Sequence, residues 1–429
     1  MRFSSALFAA SLSFGALTAA AETPALKPDI TVAQDGSGDF KTVQEAVASI
    51  PRDNHERMIV LVKDGHYKEK VRVDASCVTL RGQSRAGTRI EFPQLMDDFT
   101  QHPDNLGRAV LNVHGDNFVL ENITVANTAG VIGTHAFAIY GDGDRTVVLD
   151  SDVTSEGNDT VSLWKGASGR YYHARCNFRG SVDFVCPRGW CYVTDCNFSE
   201  VKNTAAVWHD GHLDQDMKYV LRNCRFDGVD GFVLARHHAD AQFYFLDCKF
   251  TKAMADRPPR RVIYPLGNAP ATDADRQRNA DYDKRNLWGE RAYFFNCHRE
   301  GGDYDWFKDN LDQAPGAPKP NEITPSWTFA GKWDPERKDG PTVTKTGDKD
   351  NLLLITFSES VTVKGKPQIQ LASGKLATYD HGSGSDLLVF AAPQGDAAQF
   401  KSFDLNGGAI IASEASAPVR TAQLKSSSD

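Results

Sequence analysis

The 429-residue sequence has no block of lysines or arginines, and its formal net charge is −8 at pH 7. The absence of a basic patch argues against nucleic acid as a partner. The negative charge also provides no general attraction for a polyanion, so an acidic substrate would need a local groove that overcomes it. Beyond its first residues the chain lacks any apolar run long enough for a membrane-spanning helix, and we expect no membrane insertion.

The N-terminal residues have the pattern of a secretion signal. An apolar stretch at residues 6–17 follows the single charge of Arg2, and three alanines at 19–21 provide a small-residue cleavage site. We therefore expect residues 1–21 to be removed and the mature protein to be secreted or periplasmic. The alternative is a buried N-terminal helix.

The cysteines lack the Cys-x2-Cys spacing of a metal cluster, which argues against such a cluster. Five of the eight cysteines occupy the same place in a repeated phrase of aromatic and β-branched residues, separated by 20, 28, 24 and 49 residues: Cys176, Cys196, Cys224, Cys248 and Cys297. Steps of 20 to 28 suit one coil of a β-solenoid, and 49 suits two coils or a long insertion. We expect these five thiols to form an internal ladder rather than disulfides. Cys186 and Cys191 remain a candidate pair, and Cys77 has no obvious partner.

A short helix is predicted ahead of the coils. Residues 42–45, Thr-Val-Gln-Glu, resemble a capping box, and apolar residues at 43, 46, 47 and 50 then share one helical face. Such a helix can cover the open end of a solenoid, whose strand edges are otherwise unpaired. The predicted fold class is therefore all-β, a right-handed parallel β-helix over residues 22–335 with a short N-terminal capping helix.

The composition changes near residue 335. Residues 334–341 have linker composition, and alternating strands separated by Gly, Ser and Asp turns follow. This pattern predicts a small immunoglobulin-like β-sandwich over residues 342–429. It contains no candidate catalytic residue, so we expect a spacer or a weak binding module.

Two aspartates have a spacing that suits paired chemistry. Asp159 and Asp183 are 24 residues apart, about one coil, which places them on neighbouring rungs of one face. Adjacent carboxylates push their pKa values apart, so one can be a protonated acid and the other an ionised nucleophile. An arginine beside the nucleophile would keep it ionised and aimed, and Arg236 is the candidate.

Four phrases in order carry a family resemblance: Gly-His-Tyr-Lys-Glu at 65–69, Asn-Asp-Thr-Val at 158–161, Gly-Ser-Val-Asp-Phe-Val at 180–185 and Leu-Ala-Arg at 234–236. They resemble the pectin methylesterase family, whose phrases are Gly-x-Tyr-x-Glu, Gln-Asp-Thr-Leu, Gly-Thr-Val-Asp-Phe-Ile and Leu-Gly-Arg-Pro-Trp. The resemblance, with the flanking strands, spans about residues 29–312.

The resemblance implies ester hydrolysis without a metal or organic cofactor. Asp183 would attack the carbonyl carbon of a methyl-esterified galacturonate. Asp159 would protonate the departing methanol and then act as base for the water that frees the acyl-enzyme. The implied partner is pectin or a related uronate polysaccharide, and we expect a monomer.

The sequence departs from the family at the residues around this pair. The family's two oxyanion glutamines appear here as His135 and Asn158, and its Pro-Trp after the arginine is His237-His238. A stacking aromatic is therefore missing at that position. Trp164, Trp190 and Trp208 are candidates to replace it, with Trp164 and Trp208 preferred and His238 as a further substrate contact, although core or turn packing explains each tryptophan equally well.

Two other functions remain open. Polygalacturonases also use paired aspartates on a β-helix, although their own motifs are not visible here and the phrase at 180–185 argues against them. A polysaccharide-binding protein without activity is the other alternative, which the altered oxyanion residues favour. The intact Asp159, Asp183 and Arg236 argue against it.

Overall fold

The computed structural model describes residues 26–395 and 399–422. The predicted signal segment at 1–21 lies outside these residues, as do residues 423–429 of the predicted sandwich. No helix in the described ranges is long and apolar enough to cross a membrane.

Among the described residues, three parallel sheets stack as a β-helix. Each complete coil, called a rung below, contributes one strand to each sheet, and the coils at the two ends are incomplete. Sheet A has ten strands: Ile30–Val32, Met58–Val62, Val78–Gly82, Val119–Glu121, Thr146–Leu149, Arg170–Ala174, Trp190–Thr194, Tyr219–Arg222, Phe243–Leu246 and Ala292–Phe295. Sheet B has nine: Gly65–Tyr67, Thr88–Phe92, Thr124–Asn127, Asp152–Asn158, Asn177–Ser181, Asn197–Glu200, Arg225–Gly228, Lys249–Phe250 and His298–Arg299. Sheet C has eight: Val71–Val73, Leu111–Val113, Ile139–Gly141, Val161–Leu163, Val185–Pro187, Ala205–His209, Val233–His237 and Arg260–Arg261. The predicted solenoid is confirmed.

The repeated phrase forms the corner between sheets A and B. Its asparagine or aspartate, as in Asp195 and Asp247, has a positive φ of 55° to 56°, a conformation that these two residue types adopt more readily than most. The next residue turns into the interior, where the five repeated cysteines are buried and free. Each thiol lies within hydrogen-bonding distance of the carbonyl oxygen two residues earlier, for example 3.2 Å from Cys176 Sγ to Ala174 O. The predicted thiol ladder is therefore confirmed, and Cys186 and Cys191 are also free and buried.

Helices cover the ends and sides of the solenoid: Val43–Ala48, Met96–Gln101, Asp273–Asp283 and Pro325–Thr328, with 3₁₀ turns at Gly166–Ser168, Asp305–Phe307 and Leu311–Gln313. The first is the predicted cap. Its N-terminus is held by Thr42 Oγ1, which accepts from the Glu45 N–H. The carboxylate of Glu69 accepts from the backbone N–H groups of Val43 and Gln44, each at 2.9 Å. Glu69 of the first family phrase therefore fastens the cap to the solenoid.

The C-terminal region is an antiparallel sheet of seven strands among the described residues: Val343–Lys349, Leu352–Lys364, Gln368–Leu371, Leu376–His381, Ser385–Ala391, Phe400–Asp404 and Ala409–Ala412. It has its own hydrophobic core, which includes Leu353, Ile355 and Phe390. Its immunoglobulin likeness remains a prediction.

The predicted linker at 334–341 is not a free tether, because the C-terminal sheet docks directly on the solenoid. Arg57 is buried between them, donating from its backbone N–H to Thr362 Oγ1 at 2.7 Å and from Nη2 to Ser413 O at 2.6 Å. The indole of Trp333 donates to Ala415 O at 3.0 Å, and both residues pack in the cluster that covers the outer face of sheet A.

Candidate active site

Asp159 and Asp183 occupy equivalent corners of successive rungs, where the chain passes from sheet B to sheet C. The strands that follow them pair in register, Val161 with Val185, and the Asp159 N–H donates to Val182 O at 3.1 Å. Both aspartates have a φ of 57°, so their side chains project from sharp turns. The predicted side-by-side placement is therefore present in the structure.

The turn that carries Asp183 is strained. Val182 has a φ of 44°, which is unfavourable for a β-branched residue. Gly180 lies near the end of the strand before this turn, where an added Cβ would lie 2.2 Å from Thr160 Oγ1 and 2.5 Å from Phe184 Cβ, so only glycine fits. Strain and close packing together indicate that this backbone conformation serves the position of Asp183.

Arg236 lies on the sheet C strand Val233–His237, two rungs beyond the strand that follows Asp183. Its guanidinium donates two hydrogen bonds to the Asp183 carboxylate. Nε lies 2.7 Å from Oδ1 and Nη2 lies 2.6 Å from Oδ2. The Asp183 side chain is 10% exposed, and burial raises the pKa of its carboxyl group, whereas the hydrogen bonds and charge of Arg236 oppose that rise. The arginine therefore favours the ionised form and fixes the rotation of the carboxylate.

Asp159 has no such arginine contact. Burial raises the pKa of its carboxyl group well above the ordinary value, and the neighbouring Asp183 raises it further. The imidazole of His135 lies nearby, with Nε2 3.7 Å from Asp159 Oδ2. The pKa values of both carboxyl groups are thus raised by burial, but that of Asp159 is raised further, because Arg236 opposes the rise at Asp183.

His135 and Asn158 lie beside the pair, as predicted. They differ in how far other residues of the protein already engage their side chains. The His135 side chain is 54% exposed at the mouth of the site. The Asn158 amide is largely engaged, because Nδ2 donates to Gly133 O at 3.0 Å and Oδ1 accepts from Ser181 Oγ at 3.1 Å. Asn158 therefore anchors the loop before His135 and retains one N–H for other use.

The predicted tryptophans flank an arginine that sequence reasoning missed. The guanidinium of Arg188 lies 3.9 Å from the ring centroid of Trp164 and 5.1 Å from that of Trp208. Trp164 is half-buried and donates from its indole N–H to Cys186 O. Trp208 is only 4% exposed, with its ring covered by Arg188 and His238, so it offers no open face for a sugar. In this structure Trp208 supports Arg188 and His238 rather than forming a stacking surface.

His238 belongs to an aromatic cluster beside Arg236. Its ring stacks on Tyr282 at 4.8 Å, and its Nε2 lies 2.9 Å from Tyr264 Oη. Burial lowers the pKa of His238 to about 4, and the charge of Arg236 adds to this effect, so the imidazole is neutral at higher pH. Both tyrosines come from residues 251–291, which include the helix Asp273–Asp283. The 49-residue cysteine step is therefore one rung with a long insertion that reaches the site.

Glu200 is a second residue that the sequence did not reveal. It lies one rung beyond Gly180 in sheet B and is 1% exposed. Burial raises its pKa to about 9, and the nearby Asp183 contributes to the rise. Its Oε1 accepts from the Lys202 N–H at 2.9 Å, while Oε2 has no partner among the described residues. Glu200 is thus a buried, protonated carboxyl group beneath the Asp183 turn.

The arrangement places two carboxyl groups of different pKa side by side, with Arg236 bound to Asp183 and with cationic and aromatic side chains nearby. Among the described residues, no three His, Cys, Asp or Glu side chains converge as a metal centre would require. The predicted absence of a cofactor stays a prediction.

The sequence comparisons point to one family. Residues 29–239 match the Pectinesterase family model. A pectinesterase of Petunia integrifolia is 31% identical over 206 residues, which cover 46% of this chain and 53% of that protein. A pectinesterase of Citrus sinensis is 30% identical over 204 residues, covering 46% of this chain and 39% of that protein. The chain therefore spans about half or less of the length of these curated relatives.

The solved structures extend the likeness to the whole solenoid. A pectin methylesterase from carrot superposes with a TM-score of 0.55 at 20% identity, covering 72% of this chain and 95% of that one. One from Erwinia chrysanthemi gives 0.55 at 19% identity, covering 72% and 99%. A pectin methylesterase in complex with a hexasaccharide gives 0.55 at 18% identity, covering 73% and 100%. The solenoid of this chain therefore has the parallel β-helix fold of pectin methylesterases, and its residues 29–239 resemble pectinesterases in sequence.

Proposed function

We propose that this protein is a carboxylic ester hydrolase that removes methyl esters from pectin or a related uronate polysaccharide and releases methanol. The observation that carries the proposal is the bidentate hydrogen bonding of Arg236 to Asp183. Asp183 lies beside Asp159, and the pKa of Asp159 is raised well above its ordinary value. The pectinesterase relatives and the shared fold support the choice of substrate.

In the first half-reaction, an Asp183 oxygen attacks the ester carbonyl carbon, and the carbonyl oxygen becomes an oxyanion. His135 and the remaining N–H of Asn158 are the nearest side-chain candidates to donate to that oxygen. The intermediate collapses when the bond to the methoxy group breaks. Asp159 gives its proton to the departing oxygen, so methanol leaves and the substrate acyl group stays on Asp183.

In the second half-reaction, the roles of Asp159 reverse. Now ionised, it takes a proton from a water molecule whose oxygen attacks the acyl carbon. Collapse of the second intermediate breaks the bond to Asp183 and frees the substrate as a carboxylate. Asp159 ends protonated and Asp183 ends ionised, which restores the starting state, and the carboxylic acid proton goes to solvent.

The surroundings of the pair suit a polysaccharide that runs across the sheet C side of the solenoid. Trp164 and Arg188 lie on one side of Arg236, and His238, Tyr264 and Tyr282 lie on the other. Aromatic faces contact sugar rings, and arginines compensate for acidic groups despite the net charge of −8. Export to the periplasm or the medium, which residues 1–21 predict, would bring the enzyme to such a polymer. Monomeric action stays part of the proposal.

The test is a methanol-release assay on highly methylated pectin, run beside a reducing-end assay on the same samples. An esterase yields methanol, a glycoside hydrolase yields reducing ends, and a binding protein yields neither. Asp183→Asn preserves the shape of the side chain and should abolish methanol release. Asp195→Asn is the matched control, because Asp195 has the same backbone conformation at a corner away from the site. Reducing ends without methanol, or full activity in Asp183→Asn, would overturn the proposal.

A further inference from the structure

His237 has a hydrogen-bond acceptor on each side of its imidazole ring. The side chain is 2% exposed, Nε2 lies 2.6 Å from Glu290 Oε2, and Nδ1 is hydrogen-bonded to Ala239 O. Burial alone would raise the pKa of the Glu290 carboxyl group, but the hydrogen bond and charge of His237 lower it, so the carboxylate is ionised and can only accept. A neutral imidazole has one N–H and cannot serve two acceptors. His237 is therefore an imidazolium that donates from both nitrogens.

The neighbouring titratable groups do not share this arrangement. His209 pairs with His237 in register and His238 follows it, and burial lowers the pKa of each to about 4, so both are neutral at pH 7. The charges of Asp210 and Arg291 also act on His209, and they have opposite signs. The Glu290 carboxylate is thus the anion that contacts the His237 ring.

The same carboxylate joins the last two strands of sheet C in the described part of the chain. His237 ends the strand Val233–His237, whose outer neighbour Arg260–Arg261 has two residues. Glu290 Oε2 binds His237 on the first strand, and Oε1 accepts from the Arg261 N–H on the second at 3.1 Å. A strand of two residues provides few backbone hydrogen bonds, so the carboxylate strengthens a connection that is otherwise weak.

Glu290 is itself held in place where the chain returns from the insertion. The next residue, Arg291, is 7% exposed, and its carbonyl oxygen accepts from the Phe243 N–H at 2.9 Å. The Arg291 guanidinium donates to Ala241 O at 3.1 Å. These contacts fix Glu290 relative to the rung that contains Phe243. The chain therefore leaves sheet C after Arg261 and comes back at Glu290 to brace the strand behind it.

The braced strand carries Arg236, directly before His237. Arg236 reaches Asp183 with two hydrogen bonds of 2.7 and 2.6 Å, a geometry that a displacement of about 1 Å would break. On the basis of the function proposed above, we infer that Glu290 is a positioning residue, which through the His237 imidazolium holds Arg236 in line with Asp183. His237 stands where the family has a proline, which could not make this contact.

Nuclear magnetic resonance can test these contacts in the full chain without a substrate. Isotope-labelled histidine and arginine report the ring nitrogens of His237 and the Nε–H of Arg236, with His237→Phe and Arg236→Lys to assign the signals. At pH 6.5 we expect two protonated ring nitrogens at His237 in wild type and one in Glu290→Gln. Solvent exchange of the Arg236 Nε–H should become about tenfold faster in Glu290→Gln, as the loss of one hydrogen bond predicts.

Asp281→Asn is the matched control for these measurements, because Asp281 lies on the same insertion and pairs with Lys284 at the end of the helix. It removes the same charge as Glu290→Gln and should match wild type in both signals. One protonated ring nitrogen at His237 in wild type, or unchanged exchange in Glu290→Gln, would overturn the inference even if the protein proves not to be an esterase.

The second experiment measures methanol release as a function of pH. Glu290→Gln should move the acid limb to higher pH by about one unit, because a displaced Arg236 opposes the raised pKa of Asp183 less. At pH 5 kcat should fall by about tenfold, while KM stays near wild type because Glu290 acts through Arg236. A residue that only stabilises the fold would lower the rate by one factor at every pH, so an unmoved limb would overturn the inference.

A double variant tests whether Glu290 acts through His237. His237→Phe keeps an aromatic ring and removes both N–H groups, so adding Glu290→Gln to it should lower kcat by less than about twofold further. Full additivity of the two losses would overturn the inference. If His237→Phe folds poorly by circular dichroism, the acid limb of Glu290→Gln decides alone. Absence of methanol from wild type would count against the proposed function alone.

Discussion

The guanidinium of Arg236 reaches across two rungs to bind both carboxylate oxygens of Asp183, with Nε 2.7 Å from Oδ1 and Nη2 2.6 Å from Oδ2. The contact opposes the rise in pKa that burial imposes on Asp183. It also prevents rotation of the carboxylate away from the substrate. One side chain thus controls both the ionisation and the aim of the proposed nucleophile.

Replacing Arg236 by alanine should therefore affect activity and stability together. Without the guanidinium the pKa of Asp183 rises further, so the acid limb of the pH–rate profile should move to higher pH. Breaking a buried pair on one side also destabilises the fold by roughly 3–5 kcal/mol. Methanol release from pH 4 to 9 and urea unfolding measure the two effects. Arg236→Lys keeps the charge and should lose less of both, and wild-type values in Arg236→Ala would remove this arginine from the site.

Ionisation of Asp159 should determine how the rate of methanol release declines at alkaline pH. Its pKa is raised by burial and by Asp183, so it is protonated below that pKa and able to act as the acid. As pH rises through the raised pKa, the proton is lost and the rate of methanol formation should fall. Asp159→Asn should lose most of the activity. The activity that remains should no longer decline at alkaline pH. A wild-type rate that stays constant up to pH 10 would contradict the role of Asp159 as acid.

His135 offers a third pH effect. Its exposed imidazole lies 3.7 Å from Asp159 and, when protonated, its charge opposes the raised pKa of Asp183. Loss of that charge weakens the support for ionised Asp183 and removes a charge-assisted donor for the oxyanion, so activity should depend on the charge of this imidazole. His135→Gln restores an uncharged donor, and we expect retained activity with a flatter alkaline limb. An identical profile for the variant and wild type would make His135 a structural residue only.

Local patterns explain which parts of this site could be predicted. The Asp–Cys and Asn–Cys phrases repeat because each rung needs a left-handed corner followed by a small buried side chain, as at Asp195 and Cys196. One coil of separation was enough to place Asp159 beside Asp183. Arg188 and Glu200 escaped prediction because their roles depend on contacts between rungs, which no local pattern records.

The insertion and the domain interface were hidden for a related reason. Residues 251–291 have no solenoid period, so nothing in the sequence indicates that Tyr264 and Tyr282 return to His238. The contact of Arg57 with Thr362 joins residues 305 positions apart, and linker composition suggested separation instead. In the sequence alone, charged and polar residues at such interfaces look the same as ordinary surface residues. Only the three-dimensional structure distinguishes them.

Deleting residues 342–429 should lower stability while leaving the chemistry intact. No described residue of the C-terminal sheet contacts the site residues, so kcat on soluble pectin per folded molecule should stay near wild type. Arg57 would lose its acceptor at Ser413, and the Trp333 indole would lose Ala415. We expect a lower melting temperature, and Arg57→Met in the full chain should reproduce part of the decrease. A truncated protein as stable as the whole would show that the interface contributes nothing.

Glu200 should make the stability of the whole solenoid depend on pH. Its pKa is raised from an ordinary 4.5 to about 9, with burial as the main cause. The folded protein therefore binds a proton that the unfolded chain releases above about pH 4.5. The stabilisation that this proton provides is complete below that pH and is lost as pH rises through about 9.

Glu200→Gln keeps the size of the side chain and cannot ionise. Its free energy of unfolding should decline less steeply between pH 5 and 9 than that of wild type, which urea titrations at several pH values measure. Glu300→Gln is a suitable control, because Glu300 is exposed directly after the last strand of sheet B and pairs with Arg225. The amide also retains an acceptor for the Lys202 N–H, so the Asp183 turn should hold and methanol release at pH 6 should persist. Parallel slopes for Glu200→Gln and wild type would mean that Glu200 is already ionised in the folded protein.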